Sequence, residues 1–251
     1  MKSRLNALRS RFVDAPDSLG AKARARRWQW FASRFPDLDR MHVLDLGGTA
    51  GAWLRAPVRP AHVHIVNLEQ PPTDLPSWLR ADVADACDLP PAIRRARYDL
   101  VFSNAVIEHV GGHQRRQRFA DTVHEMADRH WVQTPYRYFP VEPHFLFPGF
   151  QFLPLAARTT ILRRWPLVHT PTSDRDAARM IAMEVELLSV TEMRHYFPKS
   201  RLHFERLAGL VKSVIAIRGQ PAVTLATPSS QVLPRQTLPG PCASQYDTGP
   251  A

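Results

Sequence analysis

The stretch V-L-D-L-G-G-T-A-G-A-W-L, Val43–Leu54, sets how the rest of the chain reads. Val43, Leu44 and Leu46 form the near-continuous apolar run of a parallel strand covered on both faces. Gly47, Gly48 and Gly51 then give a tight turn, and Ala52-Trp53-Leu54 open a helix. A strand that passes through glycines into a helix lets a ligand approach the backbone closely and meet its N–H groups. Asp45 stands at the strand end, two residues before Gly47. A carboxylate there repels a diphosphate and suits an ammonium group or an ordered water. A dinucleotide turn counted from Gly47 requires glycine at position 49, where this chain has Thr49.

Two more segments fall into step with this one. H-V-H-I-V-N-L, His62–Leu68, reads as a second strand, and Glu69 follows it, 22 residues after Gly47. That is the place for a carboxylate that accepts hydrogen bonds from both hydroxyls of a ribose. Y-D-L-V-F-S-N-A-V-I-E-H-V, Tyr98–Val110, carries a buried strand at Leu100-Val101-Phe102. Ser103-Asn104 break it at its carboxyl end, where open α/β sheets bind ligands.

Asp45, Gly47 and Gly51 match the signature Asp-x-Gly-x-Gly-x-Gly of the class I S-adenosylmethionine-dependent methyltransferases, with Thr49 in place of the middle glycine. Tyr98–Val110 resembles the fourth-strand segment of the small-molecule members, Asp-Leu-Val-x-Ser-x-x-x-Ile-Glu-His. Tyr98 begins 55 residues after Val43, and the two matches together are far more specific than either alone. The resemblance runs over roughly residues 25–218. It implies a Rossmann-like, seven-stranded, mostly parallel sheet with an antiparallel C-terminal strand, helices on both faces and a small helical insertion before the last two strands. It also implies S-adenosyl-L-methionine as cofactor, held by Asp45, Gly47, Gly48, Thr49, Gly51, Glu69, Ser103 and Asn104. An Ala81-Asp82-Val83 turn would put Asp82 on the adenine amino group and the Val83 N–H on a ring nitrogen.

Along the chain, residues 1–40 are a basic, partly helical segment, 41–218 the methyltransferase domain and 219–251 a disordered tail rich in Pro, Ser, Thr and Gln. Arg24–Phe35, R-A-R-R-W-Q-W-F-A-S-R-F, sets Trp28, Phe31 and Phe35 at helical spacing, closed by Pro36. Such a helix either packs on the sheet or lies on a membrane surface. Further helices are expected over Gln114–Asp128, Phe152–Trp165, Arg175–Leu188 and Thr191–Phe197, the last capped by Thr191. Arg201–Leu207 and Val211–Arg218 read as the final strand pair. Within residues 136–190, taken as a lid or substrate region, Tyr136–Phe150 reads as a loop of aromatics and prolines lining a pocket beside the cofactor.

Methyl transfer from a sulfonium mainly requires alignment and exclusion of water, while a hydroxyl acceptor benefits from a general base. The candidates are His109, Glu108, Glu142 and His144; His144 is the preferred base and His109 the one that shapes the cofactor pocket. The expected acceptor is a small molecule, glycan or glycolipid. No metal is expected, because the eleven histidines show no zinc-binding spacing.

A net charge of +10 invites nucleic acid as an alternative acceptor. The Asn/Asp-Pro-Pro-Tyr/Phe tetrapeptide of many base-amino methyltransferases is missing, since the fourth strand runs into Ser103-Asn104-Ala105-Val106. Thr49 leaves room for a second alternative, an inactive methyltransferase-like binding module. Cys87 and Cys242 alone make neither a disulfide framework nor a cysteine zinc site. No apolar run reaches membrane-spanning length, and M-K-S-R-L-N-A-L-R-S-R-F lacks the apolar core of a secretory signal. A cytoplasmic location is therefore expected, with peripheral contact at the inner membrane face as an option.

Overall fold

In chain order the strands are β1 (His42–Leu46), β2 (His62–Asn67), β3 (Leu79–Val83), β4 (Leu100–Asn104), β5 (His130–Pro135), β6 (Val141–Glu142), β7 (Phe147–Pro148), β8 (Arg201–Leu207) and β9 (Leu210–Arg218). The helices are α1 (Leu19–Arg34), α2 (Ala50–Leu54), α3 (Pro91–Arg94), α4 (His113–Met126), α5 (Leu155–Arg164), α6 (Arg175–Glu184) and α7 (Val190–Tyr196). The computed structural model describes residues 18–168 and 172–219. Residues 1–17 of the basic segment and 220–251 of the expected tail, Cys242 included, lie outside the described residues.

Seven strands form one sheet in the order β3-β2-β1-β4-β5-β9-β8. β1 to β5 pair in parallel, and β9 runs antiparallel to both β5 and β8. The expected Rossmann-like sheet is therefore present, with its reversed strand slotted in before the edge. Alternation along each strand sends side chains to two cores. Leu44, Leu46, Val101 and Val132 pack with Phe119 and Val123 of α4 and with Met193 and Phe197 at α7. Val43, Leu100, Phe102 and Trp131 pack with Phe31, Phe35 and Trp53.

The second core answers the question left by Trp28, Phe31 and Phe35. Their face of α1 lies against the sheet, and the Trp28 ring stacks on Phe102 at 5.4 Å. Phe31 and Phe35 are fully buried, each worth about 1.5–3 kcal/mol relative to exposure. The Ser18 hydroxyl caps the helix by accepting from the Ala21 N–H. Among the described residues no helix is long and apolar enough to cross a membrane.

Several local expectations change. Ala81-Asp82-Val83 are not a turn but the end of β3, paired in register with Ile65, Val66 and Asn67. α7 is capped by Ser189, not Thr191, because Ser189 and Glu192 close a capping box. α5 starts at Leu155 because Pro154 holds the preceding backbone extended. α6 stops at Glu184, after which Glu186 N–H and Leu188 C=O bond to other segments instead. Tyr136–Phe150 is not an open loop: β6 and β7 pair within it. Its Phe145 and Phe150 form a small separate core with Leu162, Val168, Ala178 and Ala182.

Candidate functional site

The glycine turn is fixed from three sides. Gly47 has φ +82°, which favours glycine, and a Cβ there would lie 2.5 Å from the Val106 side chain. A Cβ on Gly48 would lie 1.6 Å from Asp45 Oδ2. The Asn67 amide at the end of β2 donates to the carbonyls of Gly47 and Gly48 at 3.2 and 2.8 Å. Thr49 uses its hydroxyl to accept from the Ala52 N–H, so it serves as the cap of α2.

Asp45 lies beneath this turn, 1% exposed. Its Oδ2 accepts from Trp53 Nε1 at 2.6 Å, while Oδ1 has no partner among the described residues. Burial pushes the carboxyl up to about 7, against the pull of the Trp53 hydrogen bond. A buried acceptor with nothing to accept from is costly, and a donor reaching Oδ1 would relieve that cost.

A cleft of about 680 Å³ opens beside it, between α1 and the carboxyl ends of β1 and β4. That is the size of a small-molecule site. Asp45, Gly47, Gly48, Thr49 and Asn104 line it, as do Arg24, Arg27 and Trp28 of α1. The other residues expected to bind cofactor lie elsewhere. Gly51 faces the Arg55 side chain. Ser103 is buried and donates to the Leu46 carbonyl at 2.9 Å, bracing β4 on β1. Glu69 is exposed just past β2, and its backbone N–H is held by Asn67. Asp82 Oδ2 takes both His64 Nε2 and Arg80, each at 2.7 Å, and Val83 is exposed at the strand end. A second hollow of about 330 Å³ sits by His42, His62 and Arg97, near the amino ends of the strands, away from where such sheets bind ligands.

Arg27 was not singled out in the sequence. It donates to Asn104 Oδ1 at 3.0 Å and to Glu205 Oε2 at 2.7 Å, so it ties α1, β4 and β8 together at the cleft wall. The available signal was helical spacing: Arg24, Arg27 and Trp28 share one face.

The four candidate bases come together in a second cluster. Glu108 and His109 follow β4, and His144 sits in the β6–β7 connection. His109 Nε2 and His144 Nε2 are 3.2 Å apart. His144 Nδ1 bonds Glu142 Oε1 at 2.6 Å, and Glu142 Oε2 accepts from the Phe145 N–H. Glu108 is fully buried; its Oε2 accepts from the Thr134 hydroxyl at 2.9 Å and its Oε1 has no partner among the described residues. Burial pushes Glu108 up to about 7 and His109 down to about 4. Burial opposes a charge on His144 too, but the Glu142 hydrogen bond and carboxylate carry it above the ordinary imidazole range. Tyr136–Phe150 thus delivers His144 to Glu108 and His109, and none of its residues lines the cleft at the glycine turn.

No protein-family model matches the chain, and no curated protein does. Solved structures similar to it include the N-terminal domain of EvdMO1 with SAH and D-fucose, at 14% identity over 87% of this chain and 94% of that one, TM-score 0.48. Magnesium protoporphyrin IX methyltransferase (ChlM) from Synechocystis PCC 6803 with bound SAH is similar at 12% identity, over 86% and 95%, TM-score 0.46. The N-methyltransferase NodS from Bradyrhizobium japonicum WM9 is similar at 11%, over 81% and 98%, TM-score 0.46. By its own strand order, its reversed β9 and the glycine turn after β1, the chain carries a seven-stranded, Rossmann-like α/β fold.

Proposed function

We propose that the chain is an S-adenosyl-L-methionine-dependent methyltransferase acting on a small molecule, glycan or glycolipid, at a hydroxyl. The observation that carries this reading is Asp45 in the lining of the cleft at the glycine turn, with a buried Oδ1 that has no partner among the described residues. An amino-acid ammonium is the donor that fits it. Gly47 and Gly48 leave the backbone bare beside it, and Arg55 puts positive charge on the same wall for a carboxylate. Glu69, whose carboxylate has no partner among the described residues, suits the ribose hydroxyls. Asp82 keeps Oδ1 for the adenine amino group, with the Val83 N–H beside it.

S-adenosylmethionine, when bound, supplies a methyl group on a positive sulfur, which recovers the bonding pair as the new bond to the acceptor oxygen forms. Trp28, Trp53 and Phe102 give the cleft an aromatic wall. For the acceptor's proton we assign the cluster of Glu142, His144 and His109, which stands outside the cleft lining and in which Glu142 orients the His144 ring.

Calorimetric titration of the purified protein with S-adenosylhomocysteine tests the reading. Binding that weakens in Asp45→Ala is expected. No binding at millimolar ligand with the fold intact would overturn it. Salt-dependent binding of RNA instead of small acceptors would move the substrate to nucleic acid.

A further inference from the structure

We propose that Glu108, His109 and His144 form a binding site for one divalent transition-metal ion of the zinc type. Each residue offers one ligand atom, and the three atoms all lie within 4.8 Å of one another. The spacing of the two imidazoles carries the argument furthest. Nitrogens bound tetrahedrally to zinc at about 2.0–2.1 Å sit about 3.3–3.4 Å from each other. Nε2 of His109 and Nε2 of His144 are 3.2 Å apart and turned toward one another.

A shared hydrogen bond would also give that distance, so the carboxylate matters. Glu108 is wholly buried, its Oε2 is anchored by Thr134, and its Oε1 has no hydrogen bond among the described residues. A proton shared between the two rings gives the Glu108 carboxylate no further partner, whereas a cation held among the three residues does. The surroundings match what metal-bound histidines use. Glu142 holds His144 Nδ1 at 2.6 Å and is itself fixed by the Phe145 N–H, which turns Nε2 to the cluster and makes it a better donor. The Glu108 and Glu142 carboxylates together balance a dication flanked by two neutral imidazoles.

Two imidazoles and one carboxylate select zinc, cobalt or iron over calcium and magnesium, which prefer oxygen alone. Three protein ligands also leave a fourth position open, as in catalytic rather than structural zinc sites. The site stands on its own ligands and does not depend on the methyltransferase reading. With metal bound, His144 is a ligand and not a free base.

The test is metal binding by the full chain after stripping with chelator. One equivalent of Zn²⁺ should bind, competing with a chromophoric chelator. Co²⁺ should give the intense visible absorption of a four- or five-coordinate site. His109→Ala and His144→Ala should each lower Zn²⁺ affinity at least a hundredfold, and Glu142→Gln should lower it ten- to a hundredfold as a positioning residue. His42→Ala/His62→Ala, which removes a histidine pair at the far end of the sheet, should leave it unchanged. Absence of Zn²⁺ uptake by folded protein, or loss of the site in the His42/His62 variant alone, would overturn the proposal. If the ligand variants fail to fold, the Co²⁺ spectrum of the unaltered chain decides: weak six-coordinate absorption overturns it. Titrating the same metal-free protein with S-adenosylhomocysteine reports on the cofactor cleft separately, so failure of one reading is not mistaken for failure of the other.

Discussion

Asp45→Asn separates what the buried carboxyl costs the fold from what it gives a ligand. The group's folded pKa is raised from 3.8 to about 7 because burial disfavours its charge. A raised carboxyl pKa contributes stability at low pH and loses it as pH rises through the folded value. In the unfolded chain Asp45 ionises above about pH 4, but in the folded chain it stays neutral until about pH 7. At about 1.4 kcal/mol per unit, the native state should lose about 2–3 kcal/mol from this group between pH 5 and pH 8. The asparagine keeps an acceptor for Trp53 Nε1 and never ionises. Urea unfolding of both proteins at pH 5 and pH 8 should show the difference between them shifting by about 2–3 kcal/mol in favour of Asn at the higher pH. Parallel stability curves would refute the raised pKa, since Glu108 and the other titrating groups are common to both proteins. Ligand binding should run the opposite way. An ammonium must meet an ionised Asp45, so S-adenosylhomocysteine affinity should fall by up to tenfold per pH unit below about 7 in the natural chain and show no such slope in Asp45→Asn. If the variant binds as tightly as the natural chain at pH 8, Asp45 does not receive the ammonium.

The remaining expectations concern the walls of the cleft and the histidine cluster. Gly48→Ala places a methyl 1.6 Å from a carboxylate that Trp53 holds in place, so it should abolish ligand binding and destabilise the fold by about 3 kcal/mol or more, read in urea melts. Phe31→Ala removes a fully buried ring between α1 and the sheet and should cost about 3–5 kcal/mol in the same assay. Glu69→Ala and Asp82→Ala should each weaken S-adenosylhomocysteine by about 1–3 kcal/mol by calorimetry; unchanged affinity would remove the residue from the site. His144→Ala should depress turnover and spare cofactor affinity, and wild-type turnover would remove it from the reaction.

The parts of this fold that could be read from the chain were those written in local period. Val43–Leu54 and Tyr98–Val110 announce strand, turn and ligand edge because each packs strand and turn chemistry into about a dozen neighbours. Trp28, Phe31 and Phe35 show a helical face for the same reason. Asp82 misled because Ala-Asp-Val carries turn chemistry locally, while pairing with β2 made it strand; a tertiary ladder outweighed a local preference. Thr191 misled because two capping residues stood two apart and only Ser189 had Glu192 at the reciprocal distance.

What stayed hidden depends on meetings between distant segments. Arg27 becomes a cleft residue only when α1 lands on the carboxyl edge of β4, 77 residues away from Asn104. His144 and His109 are 35 residues apart, a gap with no fixed meaning in sequence, and they face each other because the β6–β7 pair turns the chain back. The same fact explains why spacing rules found no metal ligands among eleven histidines: those rules detect ligands on one helix or one loop, and this cluster draws one pair from the end of β4 and the third from a separate hairpin. Glu142 illustrates the residue a motif cannot name. It carries no family signature and has no place in the cleft, yet through one 2.6 Å bond it sets which nitrogen of His144 faces the cluster. Replacing it with glutamine leaves the packing nearly unchanged and removes that electrostatic preference, so whatever chemistry His144 performs should register the change in its pH profile before it registers in stability.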